Sequence, residues 1–134
     1  MNNQTKIEIR KPAADIFEAF VDPVKIGNYW FSSGSERWAK GKTVTLRYEE
    51  YDAQGDIHVL DMIDHHKIVY EWGREEGEPH TVTITFHATS PETTVVEVTE
   101  EGFDDRDPDL IPKLIDNKEG WVFMLTCLKG YLEF

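Results

Sequence analysis

The chain has 134 residues, 40% apolar and 30% charged, which excludes a disordered tract and is enough to bury a core. Fourteen basic residues against 26 acidic ones leave a net charge of −12, and the only adjacent basic pair is Arg10-Lys11, so neither nucleic acid nor a membrane surface is expected as a partner. The single cysteine, Cys127, excludes a disulfide framework, and the first residues carry no basic and apolar leader, so a cytoplasmic protein is expected.

Residues 5–10 alternate, with Ile7 and Ile9 on one side and Lys6, Glu8 and Arg10 on the other, which predicts a half-buried strand. Pro12 breaks it. Residues 13–21 read as a helix with Ile16, Phe17 and Phe20 on one face, stopped by Asp22-Pro23. A short second helix over residues 24–29 precedes Trp30-Phe31 and a Ser/Gly loop over residues 32–35.

From Thr43 the period becomes two. Strands are predicted over residues 43–48, 57–63, 67–72, 81–87 and 94–99, with turn signals at residues 52–55, 64–67 and 90–92. Residues 73–79 read as an acidic, glycine-bearing loop in which Glu75, Glu76 and Glu78 are solvated. Short connections make the five strands an antiparallel meander. After a loop over residues 102–108, residues 110–134 predict a helix. Its apolar stripe is Leu114, Trp121, Leu125, Leu128 and Leu132, and Gly120 and Gly130 each weaken it by about 1 kcal/mol.

No repeat, low-complexity tract or Pro/Gly/Ser-rich linker divides the chain, so residues 1–134 are expected to form one domain. The order β-α-α-β-β-β-β-β-α predicts an α+β fold. In it a curved antiparallel six-stranded sheet wraps a long C-terminal helix, the arrangement called a helix grip. A sheet with one apolar face must be covered, and the long helix is the obvious cover. Where facing side chains fail to meet, a gap is left for a ligand. The candidates for lining it are Trp30, Leu46, Tyr48, Tyr70, Trp72, Ile84, Phe86, Trp121, Leu125 and Leu128. The competing reading is a filled core, in which the same residues simply pack.

Chemistry-bearing patterns are sparse. His58, His65, His66, His80 and His87 have no metal-ligand spacing, and the carboxylates Asp104, Asp105, Asp107 and Asp109 lack the spacing of a calcium loop. Neither a metal nor a cofactor is expected. Cys127 sits in a helix interior, where a buried thiol is inert. Asp61 is the one carboxylate in an apolar run. Alternation allows it inside, and a bulge or an outward position is the other reading. No catalytic residue is assigned, and an enzyme is not favoured.

Four stretches carry a family resemblance: residues 12–20 (PAADIFEAF), Asp22-Pro23 followed by Tyr29-Trp30-Phe31, residues 68–72 (IVYEW), and residues 120–133 (GWVFMLTCLKGYLE). In this order they resemble the START-like, birch-pollen-allergen-like (SRPBCC) superfamily, nearest the homologues of the activator of the heat-shock-protein-90 ATPase. The resemblance implies the helix-grip fold over nearly the whole chain. It also implies an apolar small-molecule ligand such as a lipid, polyketide or aromatic, carried or sensed without catalysis. Two alternatives follow from the same resemblance. One is a chaperone-interaction module with a protein partner, and the other a polyketide cyclase-type enzyme.

Overall fold

The computed structural model of the chain describes residues 1–73 and 77–134. Glu75 and Glu76, expected in a solvated loop, lie outside the described residues. The elements are β1 (Asn2–Ile9), α1 (Ala13–Val21), β2 (Ser33–Gly34), β3 (Thr43–Tyr48), β4 (Ala53–Ile63), β5 (Lys67–Trp72), β6 (His80–Ser90), β7 (Thr93–Glu101) and α2 (Leu110–Glu133). All seven strands join one antiparallel sheet in the order β1-β7-β6-β5-β4-β3-β2. The meander is as expected, and β1 returns beside β7.

Three expectations are corrected. Among the described residues the sheet has seven strands rather than six, because Ser33-Gly34 pairs with Leu46 and Arg47 as a two-residue edge strand where a loop was expected. Such a strand is too short to show periodicity. The predicted second helix is a single 3₁₀ turn, Lys25–Asn28, since Asp22-Pro23 and Gly27 leave no room for a longer run. The turn before β4 also moves. Glu49–Tyr51 form a 3₁₀ turn, Asp52 takes the left-handed conformation (φ 46°), and the strand resumes at Ala53, four residues earlier than its apolar run.

Register breaks between Val59 and Asp61 and between Ala88 and Ser90 bend the sheet. Its concave face carries Val44, Leu46, Ile57, Val59, Ile68, Tyr70, Val82, Ile84, Phe86, Val96 and Val98, all buried. The short helix α1 covers one end, with Phe17 and Phe20 each meeting Phe86 edge-on at 5.7 Å.

The long helix α2 covers the rest in two distinct ways. Its second half packs mainly by apolar contact: Trp121, Met124, Leu125 and Leu128 are buried, and Tyr131 stacks on Tyr29 at 5.8 Å, while at its rim Lys129 Nζ donates to the Glu8 carbonyl at 2.6 Å and Arg10 Nε to Glu133 at 2.9 Å. Its first half is tethered by polar groups. Asn3 Nδ2 donates to the Leu114 carbonyl at 2.9 Å and to Asn117 Oδ1 at 3.1 Å, and Lys118 Nζ donates to the Gln4 carbonyl. Leu114 is only half-buried, and Ile111 and Ile115 are exposed. Of the expected apolar stripe, Trp121, Leu125 and Leu128 are therefore buried, and Leu114 and Leu132 at its two ends are half-buried.

This division predicts unequal costs along one helix. Leu128→Ala, at a fully buried position, should destabilise by about 2–5 kcal/mol. Ile111→Ala, 61% exposed, should change stability by no more than about 0.5 kcal/mol. Urea unfolding of the two variants measures both, and equal losses would contradict the division.

Candidate functional site

The first half of α2 meets the sheet through polar contacts, with Lys113 at the edge of a hollow beside it. This cavity of 790 Å³ is walled by Phe31, Leu46, Tyr48, Ile57 and Trp72 and, at its polar end, by His80, Glu100 and Lys113. The opposite rim is Gln54, Gly55 and Asp56 on β4, where Asp56 accepts from Thr45 Oγ1 at 2.7 Å.

Glu100 dominates the polar end. Alternation on β7 turns Thr94, Val96, Val98 and Glu100 inward, so a carboxylate occupies a place built for an apolar side chain, 2% exposed. A charge so buried is tolerable only if its oxygens are hydrogen-bonded. Three donors supply this. Trp121 Nε1 and Asn117 Nδ2, both from α2, reach Oε1 at 2.9 and 3.0 Å. His80 Nδ1, from β6, pairs with Oε2 at 2.6 Å.

The His80 ring is fixed from its other sides as well. Phe103 meets it at 4.6 Å, and the backbone of Gly102 passes over it. Gly102 has φ +120°, and a Cβ there would lie 2.8 Å from His80 Cδ2. Only glycine allows this close passage. A second hollow of 550 Å³ lies beyond the ring, between the residue 102–107 loop and the start of α2, and shares His80 and Lys113 with the first. Lys113 is held at the boundary by Asp107 at 2.5 Å, which also accepts the Asp109 amide.

Behind the cavity wall runs a continuous aromatic band. Trp30 meets Phe20 at 6.1 Å, Phe31 at 4.6 Å and Trp121 at 5.5 Å, while Trp121 lies 6.4 Å from Trp72. Trp72 meets Tyr70 edge-on, and Tyr70 meets Trp38. The Tyr70 hydroxyl is buried with no partner among the described residues. Burial first, then the charge of Glu100, then Tyr29 and Tyr48, hold this phenol well above its usual range. Burial likewise raises Tyr29, with Tyr131 adding to it, although the Tyr29 hydroxyl donates to the Ala19 carbonyl at 2.8 Å. Burial also raises Tyr48, with the Trp30 indole opposing it and Tyr51 adding to it.

Of the ten residues expected to line a gap, Leu46, Tyr48 and Trp72 stand on the cavity wall. Trp121 stands one layer behind, bridging Trp72 and Glu100, and Trp30 packs on it. Tyr70, Ile84, Phe86, Leu125 and Leu128 sit in the close-packed core, Phe86 beneath α1. Asp61 takes the outward reading. The bulge leaves it half-exposed, 3.6 Å from Lys40 and 3.7 Å from Lys67, with Oδ1 accepting the Met62 amide. The residues that sequence reasoning missed are Ile57 on the wall, Trp38 in the core, and the whole polar end. Glu100 could have been found from the parity of Val96 and Val98, whereas its partners could not. Among the described residues, no three His, Cys, Asp or Glu side chains converge to hold a metal ion, and no helix is long and apolar enough to cross a membrane.

Residues 10–133 match the model of a family described as Activator of Hsp90 ATPase homolog 1-like protein. No curated protein matches the chain. Among solved structures, it is similar to a protein from Staphylococcus saprophyticus at 49% identity and TM-score 0.86, covering 99% of this chain and 92% of that one. It shares the fold of the Aha1 dimer from Colwellia psychrerythraea (17% identity, TM-score 0.85, 100% and 97% covered). It also shares the fold of an HSP90 activator from Plasmodium falciparum (20% identity, TM-score 0.77, 99% and 96% covered).

The Tyr70 geometry yields a pH test. The unfolded chain ionises this phenol near pH ~10, and the folded chain resists doing so. The stability it contributes is full below about pH 10 and is lost as pH rises toward the folded value. Tyr70→Phe should therefore lose less stability than the parent above pH ~10, by up to about 1.4 kcal/mol per pH unit. Urea midpoints between pH ~9 and ~11 check this, and parallel curves would contradict it.

Proposed function

The chain belongs to the Activator of Hsp90 ATPase homolog 1-like family, and from that premise we propose that it binds an apolar small molecule in the cavity between its sheet and α2, as a non-catalytic carrier or sensor. The observation that carries this reading is the 790 Å³ of space left beside an otherwise close-packed interior. Aromatic-walled hollows of this size suit a drug-sized ligand. Trp72, Tyr48 and Leu46 form the contact surface, with Trp121 supporting Trp72 from behind. Lipids, polyketides and fused aromatics are the ligand classes that the family resemblance implies.

A second reading, docking to a chaperone, draws on the family description and on the outer face of α2. There Ile111, Ile115, Val122 and Phe123 are exposed, Phe123 by 72%. Singly exposed apolar residues are ordinary, and these four are the surface that a docking partner would cover.

One set of measurements separates the two. A ligand present at about 100 times its Kd adds about 2.7 kcal/mol to the folded state, a rise of several degrees in Tm. A thermal-shift screen of lipids and fused aromatics should find such ligands, with tryptophan quenching. Trp72→Ala should weaken them about tenfold, or 1.4 kcal/mol. A screen that raises no Tm, together with an Hsp90 ATPase stimulated by the chain and not by Phe123→Ser, would replace the first reading with the second.

A further inference from the structure

The solvent side of α2 carries two side-chain lines of different character. Residues three, four and seven apart share one line of a helix. Ile111, Ile115 and Val122 make the first line, and all three are exposed. The place between Ile115 and Val122 belongs to Lys118, whose amine is drawn to the Gln4 carbonyl of β1. Pro112, Asp116, Glu119 and Phe123 make the second line, again all exposed. The other lysines of α2 are engaged elsewhere too: Lys113 with Asp107, and Lys129 with the Glu8 carbonyl and Glu133. Asp116 and Glu119 therefore have no ion-pair partner among the described residues.

An apolar line beside an unneutralised acidic one narrows the choice of partner. A helix laid along residues 111–123, about 18 Å, packs ridge into groove. It matches both lines if its own apolar line runs beside lysines or arginines. A second copy of the chain does not match, because a two-fold contact sets like charges against Asp116 and Glu119. An anionic membrane is repelled by the net charge of −12. We infer that this face of α2 docks a basic amphipathic helix of a protein partner, with Ile115, Val122 and Phe123 as apolar anchors and Asp116 and Glu119 selecting its charge. The inference goes beyond the cavity reading. It rests on the docking reading and adds the chemistry of the partner.

The test uses two synthetic peptides of about 14 residues, long enough for about four turns, with leucines at helical spacing. The remaining positions are lysine in one and glutamine in its twin. By calorimetry at about 0.1 M salt, the native chain should bind the lysine peptide about fivefold to tenfold tighter, the yield of two exposed ion pairs. Asp116→Lys with Glu119→Lys should erase that margin. Glu50→Lys with Glu92→Lys, the same change of net charge at exposed positions outside α2, should keep it. Phe123→Ser should weaken both peptides about tenfold. Trp72→Ala, on the cavity wall, should leave both unchanged. Equal binding of the twins, or a margin lost equally in both charge variants, overturns the selection by charge. If Phe123→Ser still weakens both peptides, docking by this face stands without it. Binding that survives Phe123→Ser, binding that Trp72→Ala abolishes, or no binding of either peptide overturns the docking as well. A native chain that sediments as a dimer, with Phe123→Ser a monomer, assigns the face to a second copy and overturns the inference.

Discussion

A carboxylate turned inward on β7 is the constraint around which this molecule is arranged. Alternation puts Glu100 on the same face as Val96 and Val98, and burial leaves it almost no water. Its charge can be kept there only by donors fixed in place, and the donors come from two elements far apart in the chain. Trp121 and Asn117 lie on α2, and His80 starts β6. A shift of α2 by one residue would remove both helix donors at once. The position of the long helix along the sheet is thus set by hydrogen bonds as well as by apolar fit. Specification of register by buried polar groups is known from other helical assemblies.

The same constraint explains why the interior is filled at one end and open at the other. From Trp121 onward α2 presents large side chains to the sheet, and the core closes around Leu125 and Leu128. Before Trp121 it presents Asn117 and Leu114, and the contacts run to polar atoms of β1 and β7. Hydrogen bonds act at fixed distances and do not draw surfaces together to exclude space, so the hollow survives beside them. Glu100 belongs to both regions, closing the packed half through Trp121 and forming the polar end of the hollow beside His80. Function is a property of this site and not of the shared fold, which the Aha1 dimer and the Plasmodium activator reproduce at 20% identity or less.

Much of the architecture was legible because it obeys period two and period 3.6. The runs 43–48 and 67–72 alternate cleanly, and the predicted and observed limits of those strands coincide. The helix over residues 13–21 is bounded by Pro12 and by Asp22-Pro23, and its limits coincide too. The two-residue strand at Ser33-Gly34 carries no period at all. The site was far less legible. Tyr70, Ile84 and Phe86 alternate with the right parity, but parity says which face a residue takes and not whether α1 or empty space lies above it. Trp38, fully buried against Tyr70, sits in a segment without regular structure, so no pattern marked it. His80 could not be told from the other four histidines, because its partner is 20 residues away and meets it only once β6 and β7 pair. Asp61 attracted notice for standing in an apolar run, and of its two readings the bulge selects the outward one, toward Lys40 and Lys67.

The central claim is that Glu100, alongside the Asn3 and Lys118 tethers, holds the first half of α2, while the second half is held mainly by its buried apolar side chains. Native-state hydrogen exchange along α2, in the parent chain and in Glu100→Leu, measures this directly. Loss of protection confined to the amides of residues 114–120, with those of residues 124–131 close to parent values, is the result expected. A uniform loss along the helix, or no change in its first half, would contradict the account.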